Sequence, residues 1–290
     1  MKKFSVIIPN WNGRSLLEKN LPAVLAIRPF EIIVVDDASP DDSINFLKEN
    51  YPQIKIIRHQ KNLGFAAACN SGVKAAGGEI VVLLNLDVVP KKDALEKILP
   101  DFEDPKVFAV SFNEPSWSWA RIIWRNGFIE HKPGSKTQKT HISAWASGGS
   151  AAFRRSIWEK LGGFDEIYKP FYWEDIDLGY RAWRGGYKIL WEPKAVVYHK
   201  HEAIIGKHFS KKYIDFISER NRLLFIWKNI TDFWMITEHK LYLFSRLIKQ
   251  PGYFKILGGA LKRFPLVLPR RFKEFQEAKL SDKEIFQKFI

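Results

Sequence analysis

Four groups of side chains in this sequence could do chemistry, and each is a short polar or charged cluster beside an apolar run. Asp36-Asp37-Ala38-Ser39 follows one such run. A carboxylate there accepts hydrogen bonds from a ring N–H or a sugar hydroxyl, or else closes an Asx turn. Asn85-Leu86-Asp87 follows a second run. Asp87 is a hard oxygen ligand of the kind that holds Mg2+ or Mn2+ with few carboxylates and bound phosphates, or else a turn residue. Glu174-Asp175-Ile176-Asp177 opens a helical pattern, where the positive end of the helix dipole favours carboxylates. Phe171, Tyr172, Trp173, Tyr180 and Trp183 surround it. A carboxyl in such half-apolar surroundings has its pKa raised toward that of a useful proton acceptor. Asp177 and Arg181, four residues apart, can pair on one helix face. His199, with His201 two residues on, ends a strand-like run and can complete a mixed metal site or donate to a phosphate.

The elements that must position these groups alternate strand and helix. Residues 4–9, 31–36, 54–58 and 80–84 read as strands, the second and fourth nearly continuous apolar runs that suit burial on both faces. Helices are expected over 15–27, 41–50 and 64–76, with Ser39 and Asp41 as caps for the second and Gly77-Gly78 stopping the third. This alternation predicts a doubly wound, mostly parallel α/β sheet flanked by helices, which binds ligands beyond the carboxyl ends of its strands. Farther on, 107–112 reads as a strand, 117–139 as an irregular Trp-rich and basic segment, and Gly148-Gly149 as a turn. Helices follow at 156–161 and 174–184, then two strand-like runs at 187–191 and 195–199. From about residue 211 the chain reads as helices broken at Pro251, Pro265 and Pro269. No G-x-G-x-x-G follows the first strand and no Walker A sequence occurs, which disfavours dinucleotide oxidoreductases and P-loop NTPases.

With 290 residues, 46% hydrophobic and 27% charged, the chain suits one large folded domain with an appendage. We divide it at 1–205 and 206–290, the second part a C-terminal helical extension. A single cysteine, Cys69, excludes an internal disulfide and fits a reducing compartment. No apolar run approaches the roughly 18–20 residues that span a bilayer, so the expectation is a cytoplasmic protein. Net charge is +14, and residues 201–290 carry 18 basic against 9 acidic side chains among many aromatics. Such a surface suits nucleic acid or an anionic membrane. No helix-turn-helix, RRM or zinc-finger pattern appears, and nucleic acid leaves the strand-end carboxylates unexplained. Amphipathic helices with basic flanks at the cytoplasmic face of the cell membrane are the expectation, with a lid or dimer contact as the alternative.

Transfer of a sugar from a nucleoside diphosphate makes three demands. The base and ribose must be held, the departing diphosphate needs a divalent cation or strong donors, and the acceptor hydroxyl needs a general base. The ordered set Val6-Ile7-Ile8-Pro9-Asn10-Trp11-Asn12-Gly13, Val34-Val35-Asp36-Asp37-Ala38-Ser39, Asn62-x-Gly64-Phe65-Ala66 with Asn70, and Leu84-Asn85-Leu86-Asp87 offers candidates for the first two. Gly148-Gly149, Gly162-Gly163-Phe164-Asp165-Glu166 and Trp173-Glu174-Asp175-x-Asp177-Leu178 with Arg181 complete it. Over about residues 4–200 the chain resembles the family 2 glycosyltransferases, and within them the rhamnosyltransferase-like bacterial branch. The resemblance implies a GT-A-type fold and an inverting, Mg2+- or Mn2+-dependent transfer in cell-surface polysaccharide synthesis. It implies that Asp37 binds the nucleobase, with Pro9, Asn10, Asn12, Asn62, Gly64, Asn70 and Asn85 lining the nucleotide-sugar pocket. Asp87 is then the metal ligand of a D-x-D motif whose first position is Asn85 here, and His199 assists it. Asp175 is the base and Glu174 orients acceptor or base, while Gly148, Gly149, Trp173 and Arg181 lie on the acceptor side. The implied donor is dTDP-rhamnose or a UDP-sugar, and the acceptor a saccharide or polyprenyl-linked saccharide. A nucleotidyltransferase that makes the NDP-sugar is the closer rival, although Asn10-Trp11-Asn12-Gly13-Arg14 is a poor match to its Gly-rich loop. A non-catalytic sugar-nucleotide-binding relative is the other.

Overall fold

Valine, isoleucine and leucine fill both faces of the first strands, and these residues build the centre of the sheet. A computed structural model describes residues 2–115, 117–199, 209–276 and 278–290. Strands β1 (Phe4–Asn10), β2 (Glu31–Asp36), β3 (Lys55–Arg58) and β4 (Ile80–Leu84) are parallel in the order β3-β2-β1-β4. Helices α1 (Arg14–Ala26), α2 (Ser43–Asn50) and α3 (Phe65–Ala75) make the crossovers. Alternate residues feed two cores, Ile7, Ile33 and Val35 on one face of the sheet and Val6, Ile8 and Val34 on the other. That double burial is why these strands read as apolar runs rather than alternating ones. Asn10 pairs with Asp36 in register, so β1 and β2 end level.

The second half continues with β5 (Val88–Pro90), α4 (Ala94–Ile98), β6 (Val107–Asn113), β7 (Ala120–Arg125), β8 (Phe128–Pro133) and β9 (His141–Ile142). Next come β10 (Ser150–Arg154), α5 (Arg155–Leu161), α6 (Glu174–Arg184) and β11 (Lys188–His199). The main sheet runs β3-β2-β1-β4-β10-β6-β11-β5, with β9 beside β11. β10 is antiparallel to both neighbours, and β11 returns parallel to β6.

Several expectations need correction. The segment 117–139 is not irregular, since it contains the antiparallel hairpin β7–β8, turned by Asn126-Gly127 with both residues at positive φ (51° and 69°). The expected runs 187–191 and 195–199 form one strand with a bulge between Glu192 and Val196. Ser39 and Asp41 do not cap α2 from its N-cap position, which Asp42 occupies. The Ser39 hydroxyl instead accepts from the Asn10 amide and the Asn12 N–H, while Asp41 accepts from the N–H groups of Arg14 and Ser43.

Among the described residues five helices follow: α7 (Lys211–Asn229), α8 (Phe233–Lys249), α9 (Tyr253–Leu261), α10 (Phe264–Gln276) and α11 (Asp282–Gln287). Pro251 stands at a helix break, but Pro265 and Pro269 lie within α10. Pro265 sits in the first turn, where a missing N–H leaves no bond unmade. Leu223, Phe225, Val267 and Ile285 share one core with Trp173 and Tyr180, so the helical extension is continuous with the sheet's packing. Asp282 joins the two halves: it pairs with Arg184 and accepts from the Tyr180 hydroxyl and from the N–H groups of Thr231 and Asp232. Among the described residues, no helix is long and apolar enough to cross a membrane.

Candidate active site

The loop Ser147-Gly148-Gly149 ties the two acidic clusters together through its backbone. The Asn85 N–H donates to the Gly149 carbonyl at 2.8 Å, and the Gly148 N–H donates to Asp175 Oδ2 at 3.2 Å. A β-carbon on Gly149 would collide with the Asn85 side-chain amide, so only glycine permits this approach. Asp87, two residues beyond Asn85, faces His199, with Nε2 3.1 Å from Asp87 Oδ1. On its other side His199 Nδ1 lies 3.2 Å from Glu114 Oε2, while Glu114 Oε1 accepts from the Ser150 hydroxyl at 2.6 Å. Ser150 begins β10, directly after the glycine pair. Asp87, Glu114, His199, Gly148, Gly149 and Asp175 thus form one continuous constellation at the strand ends. Burial disfavours the His199 imidazolium, but hydrogen bonds to Asp87 and Glu114 outweigh it and raise the pKa to about 9.

Glu174 and Asp175 begin α6 behind Trp173, which sits at φ 80°. Glu174 is buried, and burial followed by the like charge of Asp175 raises its pKa to about 8. Asp175 is partly exposed. Burial raises its pKa also, opposed by the N–H groups of Gly148 and Ile176, the latter donating at 2.8 Å. Near neutral pH this dyad keeps a proton on Glu174, and Asp175, the less buried member, is the carboxyl placed to accept one from a hydroxyl.

Asp37, the first residue past β2, clamps a loop. Its carboxylate accepts from the N–H groups of Leu63 and Gly64 at 2.8 and 2.7 Å, and lies 2.7 Å from His59 Nδ1. An open cleft of about 360 Å³ lined by Ala38, Ser39, Arg58, His59 and Gln60 adjoins it. Asn10 is buried and donates to Asp36 and Ser39, and its own Oδ1 has no hydrogen-bond partner. Asn12 and Asn62 are exposed, and Pro9 is partly buried. Gly64 precedes α3 at φ 89°.

Three expected ligand-facing residues are turned elsewhere. Asn70 clamps Phe164 with both ends of its amide, donating to the carbonyl at 2.8 Å and accepting from the N–H at 3.0 Å. Arg181 is buried, donating to Asp177 at 2.7 Å and to the Leu161 and Gly163 carbonyls. Trp173 is packed against Phe225 and His131. These contacts occupy the groups an acceptor or nucleotide would need. His201 lies outside the described residues. Glu114 and His59 escaped the sequence reading, though both stand one residue beyond a strand end, at β6 and β3, where the rule that found Asp37 applies.

Asp87 and His199 suit a divalent cation. Their oxygen and nitrogen are 3.1 Å apart with the imidazole proton between them, so a cation would bind by displacing that proton and leaving Nε2 neutral. No cluster of three or more His, Cys, Asp or Glu that could hold a metal occurs among the described residues. Mg2+ sites are usually completed by substrate phosphates and water.

A mostly parallel sheet with an open cleft beside Asp37, and with a carboxylate–imidazole pair and a carboxyl dyad beyond its strand ends, is the architecture of the GT-A glycosyltransferases. The chain belongs to glycosyl transferase family 2, whose family model matches residues 5–162. It is 30% identical over 216 residues to the pre-mycofactocin glycosyltransferase of Mycobacterium tuberculosis, covering 72% of this chain but 45% of that relative. It is 28% identical over 236 residues to the O-antigen chain rhamnosyltransferase RfbN of Salmonella typhimurium, covering 73% of this chain and 71% of the relative. GalNAc-T7, solved with UDP, GalNAc and Mn2+, shares the fold with a TM-score of 0.75 at 18% identity, covering 99% of this chain and 56% of that one.

Proposed function

We propose that the protein transfers a sugar from a nucleotide-diphosphate donor to a hydroxyl of a saccharide or polyprenyl-linked saccharide, with inversion at the anomeric carbon. Supporting this above all is the Gly148-Gly149 bridge, which links the Asp87 region to Asp175 by direct backbone hydrogen bonds. Asp37 and the neighbouring cleft receive the nucleoside. Asp87 and His199 would hold Mg2+ or Mn2+, and such an ion would supply counter-charge for the departing diphosphate. Asp175 takes the acceptor's proton as its oxygen attacks, and neutral Glu174 beside it avoids a second negative charge. The rhamnosyltransferases among the relatives support rhamnose as the transferred sugar and the UDP-bound structural neighbours a UDP-sugar, so the donor we propose is dTDP-rhamnose or a UDP-sugar. The N-acetylglucosaminyl-diphospho-decaprenol L-rhamnosyltransferase of Mycobacterium tuberculosis, 24% identical over 240 residues, is a precedent for the lipid-linked acceptor class.

The test is a panel of nucleotide-sugars assayed for metal-dependent hydrolysis and thermal stabilisation. Asp87→Ala should lose both turnover and the metal dependence of donor binding. Asp175→Asn should bind donor with unchanged affinity and transfer no sugar. Normal transfer by Asp175→Asn would remove the base assigned here.

A further inference from the structure

Helices α8 and α10 each leave an apolar stripe bare. On α8, Trp234, Leu241, Phe244 and Ile248 recur at i, i+7, i+10 and i+14, on one side of the helix, and each is 65–69% exposed. On α10, Phe264, Leu268, Phe272 and Phe275 recur at i, i+4, i+8 and i+11 and are exposed as well. Residues 233–276 carry nine Lys and Arg against two Glu. Both glutamates are turned inward: Glu238 accepts from the Trp124 indole at 2.6 Å, and buried Glu274 lies 3.9 Å from Arg181. Lys240, Lys249, Lys255, Lys262 and Lys273 are all exposed. A monomer rarely exposes so much aromatic surface without a partner.

The geometry points to an anionic lipid surface as that partner, with α8 and α10 lying in the headgroup plane. Their aromatic stripes enter the acyl boundary while the lysines reach the lipid phosphates. Charge selects this occupant. A second copy of the chain would set one lysine-rich, acid-free face against another, whereas anionic headgroups supply the missing counter-charge. This inference stands apart from the sugar-transfer chemistry, because none of these side chains belongs to the constellation around Asp87 and Asp175.

The experiment is vesicle flotation of the full chain at low and high salt, with phosphatidylcholine alone or mixed with phosphatidylglycerol. We expect flotation with the anionic vesicles at low salt, weakened by high salt. Each of Lys240→Gln, Lys249→Gln and Lys262→Gln should lower the partition roughly fivefold. Trp234→Ser with Phe244→Ser should lower it further, and circular dichroism should show the fold retained. Absence of flotation, or equal flotation with neutral vesicles and no response to the lysine changes, overturns the inference. So does a sedimenting dimer that Trp234→Ser with Phe244→Ser dissolves, since the stripe would then cover a second copy.

Discussion

Replacing Glu174 by Gln tests the dyad through stability, without needing the substrate. In the folded chain Glu174 is buried beside the Asp175 carboxylate, and its pKa rises from 4.5 to about 8. A raised carboxyl pKa means that between these two values the folded state holds a proton that the unfolded chain has lost. Stability on this account is full below pH about 4.5 and falls as the pH climbs toward 8. The slope approaches 1.4 kcal/mol per pH unit, and the total is on the order of 5 kcal/mol. Glutamine matches the neutral acid in shape and cannot ionise. Urea unfolding at half-unit steps from pH 5 to pH 8.5 should therefore show wild type losing stability relative to Glu174→Gln as the pH rises. Transfer by the variant below pH 8 should stay near wild type, because the glutamine copies the protonated form. Parallel stability curves for the two proteins would mean that Glu174 is already ionised at pH 6 when folded, and the one-proton dyad would be wrong.

Lys228→Met should destabilise by roughly 3–5 kcal/mol in urea unfolding, because the buried ammonium lies 2.8 Å from both Asp165 and Asp177 and would leave their charges undercompensated. Burial opposes ionisation of Asp177, but Lys228 and Arg181 hold its pKa well below the usual carboxylate range. Its contribution is thus present above pH about 4 and lost on further acidification, and the Lys228→Met penalty should shrink at pH 3. Gly149→Ala should lower kcat by at least about tenfold with the fold intact by circular dichroism, because the added methyl displaces the Asn85 amide and with it the Asp87 loop. Asp37→Asn replaces one acceptor of two backbone N–H bonds by a donor. It should raise the donor Kd by calorimetry and cost about 1–3 kcal/mol of stability.

The parallel half of the fold was legible because double burial writes itself as Val-Ile-Leu runs, and β2, β4 and α6 fall where those runs and their stops place them. β10 was not. Ser150-Ala151-Ala152-Phe153-Arg154 is short and small, and nothing local distinguishes it from a loop entering α5. The β7–β8 hairpin carried a readable signal in Asn126-Gly127, the pair that supplies two positive φ angles, but the surrounding Trp and basic residues obscured the alternation. In the site, the strand-end rule located Asp37 and Asp87 and, applied to every strand, reaches Glu114 and His59. The Asp177–Arg181 pair was legible from its i, i+4 spacing, but the backbone partners of Asn70 and Arg181 were not. Asn70 meets a backbone partner 94 residues away and Arg181 meets carbonyls 18 and 20 residues back, and such partners exist only once the chain has closed on itself.

Asn221, on α7, donates its amide to the carbonyls of Tyr168, Phe171 and Tyr172, the stretch leading into Trp173 and the dyad, while Lys228 and Asn229 about two turns on reach Asp177. The helix that carries the base is thus gripped, at its approach and along its inner side, by residues that come after it in the chain. Shortening the protein to its sheet-forming part would strand Asp177 without its ammonium partner and release the turn ahead of Asp175. Exchanging the tail for that of another enzyme would succeed only if the graft returned an amide and a cation to the same places.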